Sequence, residues 1–171
     1  QIAELSGLNL NVEDVANAKS GKLSLASALA FDMGQPAASN GVLQAKTAAN
    51  FTFALDSALK PVGLKGANKL EITGAQGAFK DLAALVCALD ADLSPTEIKQ
   101  LVVQFTQSGK SLGSLQVNGP FDPAKTEGKL NVAISSIDRQ VLNLAGAAAG
   151  IDFGSTTITS TNRIEIAQAG K

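Results

Sequence analysis

Apolar and polar residues alternate with a period of two through long stretches of this sequence. From Lys22 to Met33 the large apolar residues fall on odd positions, and Val42 to Asp56 repeats the alternation over a longer stretch. Side chains on a β-strand point to opposite faces in turn, so each stretch predicts a strand with one apolar and one polar face. Both stretches exceed the roughly five or six residues of an average strand. The pattern therefore predicts a fold that is mainly β, with long antiparallel strands in a curved, groove-like sheet.

Shorter alternating stretches predict the remaining strands. They are Leu5 to Val12, Lys69 to Thr73, Leu115 to Val117, Gly128 to Ile134 and Phe153 to Ile166. In the last of these, Ile158, Ile164 and Ile166 share a face if the pairing slips once near Thr161. Clusters of Gly, Pro, Asn and Ser predict turns between the strands. The predicted turns are Gly34 to Gly41, the Gly74 to Gly77 break, Ser108 to Lys110 and a rigid Gly119 to Pro123.

The segment from Phe79 to Phe105 fits two patterns. Its apolar residues match a helical stripe through Leu82 and Leu89, and they match a strand through Leu85 and Leu89 equally well. Ser94 to Glu97 has the form of a helix start, with Ser as cap, Pro first and Glu third. The β-branched and aromatic residues that follow favour strands. We predict strands with a single helical turn at Ser94 to Glu97.

One short helix is predicted near the C-terminal end, from about Asp138 to Ala149. Ser136 is the expected cap, and Asp138 would lie at the positive end of the helix dipole. The apolar residues Ile137, Val141, Leu144 and Ala148 recur at helical spacing, and Gly150 suits the helix end.

Composition excludes several classes of function. The 171 residues fit a single domain, residues 1–171, and the 14 basic and 15 acidic residues show no block of one sign. Nucleic-acid binding needs clustered cations and usually stacking aromatics, and the only aromatic residues are seven Phe. No stretch approaches the roughly 20 apolar residues of a membrane span. The sequence begins at Gln1 in mid-pattern, so we expect a fragment of a longer protein or a mature form.

Candidate catalytic residues are scarce. There is no His, the usual general base, and the single Cys87 allows neither a disulfide nor a zinc cluster. Its apolar neighbours predict a small buried hydrophobic residue. Asp90 and Asp92 share a strand face and resemble a glycosidase pair, but two solvated carboxylates explain them more simply. We therefore predict a non-catalytic protein without a metal or cofactor.

The apolar strand face is the remaining candidate site. Its predicted lipid-binding residues are Leu23, Leu25, Leu29, Phe31, Phe51, Phe53 and Leu55. Such a face either forms the core of a closed sandwich or lines an open sheet that accepts lipid. Many Ala, Thr and Ser residues with few large rings fill a closed core poorly but leave a smooth channel, which favours the open sheet.

Several segments resemble the AsmA-like family of bacterial envelope proteins. They are Leu115 to Pro123, Gly128 to Ile134, Asp92 to Ile98 and Gly150 to Gly154, set in strands rich in small residues. The resemblance implies a β-rich groove that carries phospholipid between envelope membranes. It also implies a periplasmic location and an inner-membrane anchor, which we expect in a longer parent chain rather than in these residues. The expected function is thus phospholipid binding or transfer; the alternative is a structural or adhesive β-module with a closed core and no ligand.

Overall fold

The chain forms one open antiparallel sheet. The computed structural model describes residues 2–32, 41–77, 79–147 and 151–167. Within them, nine strands follow each other in chain order, each paired with the next, so the sheet is a continuous meander. The first and last strands do not pair with each other, and the sheet is not closed. The prediction of a mainly β fold with one short helix is confirmed.

The strands are long, as the alternation predicts. Their bounds are β1 Ile2–Glu13, β2 Ser20–Asp32, β3 Gly41–Leu55, β4 Pro61–Gly77, β5 Leu85–Ser94, β6 Glu97–Gln107, β7 Lys110–Asp122, β8 Glu127–Ile137 and β9 Ile158–Ile166. A 3₁₀ turn, Lys80–Leu82, precedes β5, and the helix α1, Arg139–Ala147, lies between β8 and β9. Met33, the turn residues 34–40, and the predicted helix end at Ala148 and Gly150 lie outside the described residues.

Two breaks in the strand pattern that the sequence predicted differ in the structure. The predicted strand Lys69 to Thr73 and the Gly74 to Gly77 break both belong to β4, which has 17 residues. The predicted helical turn at Ser94 to Glu97 is instead a tight β-turn, because Ser94 and Glu97 are paired across the β5–β6 hairpin. There the Ser94 hydroxyl donates to the Glu97 carbonyl oxygen at 3.3 Å.

The predicted rigid turn from Gly119 to Pro123 is also wrong. Gly119 to Asp122 continue β7, and the chain turns only at residues 123–126. Proline is tolerated within this strand because Pro120 lies opposite Glu97, the first residue of β6, where the pairing ends. The Ser108–Gly109 turn is confirmed, since both residues have the positive φ of a two-residue hairpin, 50° and 80°.

The C-terminal elements differ from prediction in their starting points. Asp138, not Ser136, caps α1: its carboxylate accepts a hydrogen bond from the Gln140 N–H at 3.0 Å. The last strand begins at Ile158 rather than at Phe153. The Phe153 N–H instead donates to Asn143 at 2.8 Å, which ties the connecting loop to α1. Ile158, Ile164 and Ile166 lie on the same face of β9, and no slip occurs near Thr161. The irregular pairing between β8 and β9 lies on β8 instead, between Ile134 and Ile137.

Most of the buried hydrophobic residues among the described ones collect near one end of the strands. Ala45, Ile72, Leu85, Leu112, Ile137 and Val141 form the core cluster, and Leu82 and Leu142 pack against it. The 3₁₀ turn and α1 therefore cover this end of the apolar side of the sheet. Within the described residues, no large side chain is fully buried.

The surface area is large for a protein of this size. The chain exposes 10771 Å², whereas a compact protein of its 17.4 kDa mass exposes about 7,900 Å². A single layer of strands explains this excess because most of its apolar side has no second layer against it.

Candidate functional site

The seven predicted lipid-binding residues lie on one face of two neighbouring strands. Leu23, Leu25, Leu29 and Phe31 alternate along β2, and Phe51, Phe53 and Leu55 alternate along β3. The pairing places Leu23 opposite Phe51, which fixes both sets on the same side of the sheet. Six of the seven are half-buried, and Leu29 is 40% exposed. We call this side of the sheet the apolar face.

The apolar face continues across all nine strands. Cross-strand pairing defines a first row: Val12, Leu23, Phe51, Gly66, Ala91, Leu101, Val117, Val132 and Asn162. A parallel second row consists of Leu10, Leu25, Ala49, Asn68, Leu89, Val103, Leu115, Ile134 and Ser160. The residues from β4 to β8 were not among the predicted site residues. The same alternation marks them, but only the register shows that they extend the site.

Phenylalanine rings on this face lie over glycines of the neighbouring strand. A Cβ atom at Gly21 would overlap the Phe53 ring, and one at Gly66 would lie 2.8 Å from Cδ1 of Phe51. The same arrangement recurs between Phe121 and Gly128, where the corresponding distance is 2.9 Å. Each ring occupies the space over a glycine, which has no side chain of its own. The large and the small residue of each pair therefore pack together, and the face is smooth at these positions.

The two ends of the strands differ in how far the apolar face is covered. At one end, Leu82 and Leu142 pack on the core cluster, and the Phe79 ring meets the Phe31 ring edge-on at 6.0 Å. Toward the other end, Phe53 is paired with Leu64, and Leu64 with Leu93. Among the described residues no second layer packs over those positions, which lie in the open part of the face.

A small polar cluster interrupts the apolar face on β2 to β4. The Asn68 side-chain N–H donates to the Thr47 hydroxyl oxygen at 3.0 Å, and Ser27 lies directly opposite Thr47. All three residues are half-buried and uncharged. Their neighbours on the face are Leu25, Leu29, Ala45, Ala49, Leu70 and Leu89. We call Ser27, Thr47 and Asn68 the polar cluster; sequence analysis did not single it out.

Cys87 also lies on the apolar face. It is paired with Leu70 on one side and Phe105 on the other, and it is half-buried. Burial in this apolar setting raises the pKa of the Cys87 thiol above its ordinary value of 9.0, because the thiolate loses solvation. The pairing places Cys87 on the same face as Leu85 and Leu89, but the residue is half-buried, whereas its apolar neighbours predict a buried one.

The opposite face of the sheet is polar. Asp90 and Asp92 project there, and Asp92 forms an ion pair with Lys65 on the neighbouring strand at 3.2 Å. Lys129 and Glu165 form a similar cross-strand pair at 3.1 Å. No group of three or more potential metal-binding side chains assembles within the described parts of the chain.

The sheet carries shallow, solvent-open depressions, and one of them includes the first-row residues Leu23, Phe51 and Gly66. Another, of about 550 Å³, lies beside the β7–β8 turn and is lined in part by Phe121, Lys125 and Glu165. A third, of about 340 Å³, lies on β2 to β4 and includes Lys46 and Lys69. All three mix charged with apolar groups. An extended ligand does not require a cavity, so the apolar face remains the candidate site.

None of the helices in residues 2–32, 41–77, 79–147 and 151–167 has the length and hydrophobicity to cross a bilayer. No protein-family model, curated protein or solved structure matches the chain.

Proposed function

We propose that this chain binds acyl lipid along the apolar face, without catalysis, as part of phospholipid binding or transfer in a bacterial envelope. One observation carries the proposal: two rows of mainly apolar residues cross the whole open sheet, and all of them except Ala49 and Ala91 remain partly exposed. Val12 is 48% exposed and Leu70 is 38% exposed, although both belong to this face. A soluble protein rarely leaves so large an apolar surface uncovered unless it binds something there.

The energetics favour an acyl chain as the ligand. Each methylene removed from water contributes about 0.8 kcal/mol, so a long chain gains affinity along its whole length. The face needs no enclosed cavity for this, because the ligand supplies the missing layer. The small residues Ala49 and Ala91 of the two rows are themselves buried, so an acyl chain would contact the larger, half-buried side chains around them.

The second candidate is a structural or adhesive module without ligand. That function requires a closed core, in which large apolar side chains lose their exposure completely. The excess surface area and the absence of fully buried large side chains among the described residues favour the lipid-binding function over it. The periplasmic location and the inner-membrane anchor are proposed with the lipid function, from the resemblance to AsmA-like proteins.

A pair of variants on one strand tests the proposal. Phe53→Asp places a carboxylate on the apolar face, and Thr52→Asp places the same charge on the polar face one residue away. Lipids extracted from native protein are identified by mass spectrometry, and thermal melting is recorded for each variant. We expect acyl lipid in wild-type protein and in Thr52→Asp, and none in Phe53→Asp.

The stability of Phe53→Asp separates the two candidate functions. On an open face the carboxylate reaches water, so the loss should be about 1–3 kcal/mol, including the lost packing on Gly21. In a closed core a buried unpaired charge should unfold the domain. Global unfolding of Phe53→Asp, together with a wild type that carries no lipid, would refute lipid binding and favour the structural module.

A further inference from the structure

The polar cluster has hydrogen-bonding capacity beyond its internal bond. The bond from Asn68 to Thr47 uses one N–H of the amide. The second N–H of Asn68 and the hydroxyl protons of Thr47 and Ser27 remain chemically able to donate to a ligand. A polar group on an apolar surface is costly once that surface is covered, unless the covering molecule accepts its hydrogen bonds. A purely hydrocarbon ligand would therefore fit this position poorly.

The charges around the polar cluster determine which hydrogen-bond acceptor of a ligand it can bind. Lys46 and Lys69 adjoin Thr47 and Asn68 in sequence, but strand alternation directs them to the polar face. The cluster itself thus offers neutral donors without a cation. A phosphate would lose its solvation there without gaining a counter-charge, whereas a neutral carbonyl oxygen needs only a donor.

The second row indicates the direction in which the acyl chain of a bound lipid would lie. From Asn68 on β4 it passes Leu89, Val103, Leu115 and Ile134 before it reaches Ser160 on β9. At the usual strand spacing this distance is about 24 Å along the sheet, on the order of the length of an extended long-chain acyl group. Ser160 accepts a hydrogen bond from Asn162 at 3.1 Å, so polar side chains border the apolar stretch on both sides.

We infer that Ser27, Thr47 and Asn68 bind the ester linkage of an acyl lipid whose chain lies across β5 to β8. This inference rests on the proposed function and adds the chemical group that the site recognises. The Asn68–Thr47 bond also joins β3 to β4, so a purely structural role makes a different prediction: substitution would lower stability without changing lipid preference.

A competition between two lipids tests the inference. Delipidated protein is incubated with vesicles containing equal amounts of dipalmitoyl phosphatidylcholine and its dihexadecyl diether analogue, which has the same headgroup but no ester carbonyl. The two lipids on the re-isolated protein are quantified by mass spectrometry. One hydrogen bond to the carbonyl should enrich the ester lipid roughly three- to tenfold on wild-type protein.

The variants assign the preference to the polar cluster. Combined Ser27→Ala, Thr47→Val and Asn68→Leu should bind both lipids equally. The control, Ser24→Ala with Asn50→Leu, changes a directly paired Ser and Asn of β2 and β3 on the polar face and should keep the enrichment. If the triple variant fails to fold, Thr47→Val alone, which preserves side-chain shape, should still reduce the enrichment.

Each outcome decides a different point. Wild-type protein that binds both lipids equally overturns the inference and leaves the proposed function intact. Retained ester preference in Thr47→Val and in the triple variant, with or without lower thermal stability, also overturns it. Wild-type protein that binds neither lipid refutes the proposed function itself.

Discussion

At the scale of single residues, the contact between Phe51 and Gly66 should be the most sensitive to added volume. A Cβ atom at Gly66 would lie 2.6 Å from the Phe51 Cα, and it would overlap the Asn50 carbonyl oxygen. Backbone atoms cannot move aside cheaply, so we expect Gly66→Ala to destabilise the protein by about 1–3 kcal/mol, although Ala normally stabilises a strand relative to Gly. Urea unfolding measures the change.

Gly63 on the same strand provides the matched control. The nearest atoms to a Cβ there are the Ala54 Cβ at 3.7 Å and the Leu93 carbonyl oxygen at 3.8 Å, which are ordinary contacts. Gly63→Ala should therefore be neutral or stabilising by about 0.5 kcal/mol. Equal effects of the two substitutions would show that the β3 backbone at Asn50 and Phe51 does not approach Gly66 as closely as described.

Cys87 reports on the apolar face without any mutation. Because burial raises the pKa of its thiol, little reactive thiolate forms near neutral pH, and a polar thiol reagent should label the native protein slowly. Labelling should accelerate as the pH rises toward and beyond 9.0, and denaturation at constant pH should also accelerate it. Bound lipid should slow native labelling further, since Cys87 lies between Leu70 and Phe105 on the face that lipid would cover.

The labelling result can contradict the orientation of the face. The measurement is the rate with an uncharged polar reagent in native, lipid-loaded and denatured protein at several pH values. Native labelling as fast as denatured labelling would place Cys87 in water and reverse the assignment of apolar and polar faces.

At the scale of elements, alternation predicted the strands wherever the apolar positions hold large side chains. It succeeded for β2 and β3, where Leu and Phe mark one face. It recovered only part of β4, because Gly66 and Asn68 occupy apolar-face positions there. The missing signal lies on neighbouring strands: the Phe51 ring fills the space at Gly66, and Thr47 bonds to Asn68. Such cross-strand compensation has no signature within one strand's own sequence.

Turns were mispredicted where the same residue types are common in two kinds of local structure. Ser94, Pro95 and Glu97 suit a helix start, yet Ser and Pro equally suit a β-turn, and the pairing of β5 with β6 favoured the turn. Pro120 suggested a break, but it lies opposite Glu97, where β6 begins, so the missing N–H of Pro120 removes little pairing. Local sequence therefore predicted where the chain changes direction less well than it predicted which residues share a face.

At the scale of the whole molecule, the sequence predicted an apolar face on β2 and β3 but not how far that face extends. The seven predicted residues cover β2 and β3, whereas the register extends the apolar face from β1 to β9. Only the full pairing shows that the rows run across the strands and that the 3₁₀ turn and α1 cover one end of the face. Long-range pairing depends on interactions between distant segments, which single-strand patterns do not encode.

The open sheet should also unfold with an unusually low dependence on urea. The urea m-value scales with the surface exposed on unfolding. With 10771 Å² already exposed in the folded state, the m-value should be about four-fifths of that of a compact protein of equal length. Lipid that binds the apolar face of the folded state should raise the unfolding midpoint, and the shift should grow with the logarithm of the lipid concentration once that concentration exceeds Kd. Equilibrium unfolding with and without phosphatidylcholine measures both quantities.

Thr52→Asp should keep the lipid-dependent shift and Phe53→Asp should lose it. An m-value typical of compact proteins, with no lipid-dependent shift, would mean that the apolar face is closed in solution, either by the chain itself or by a second copy.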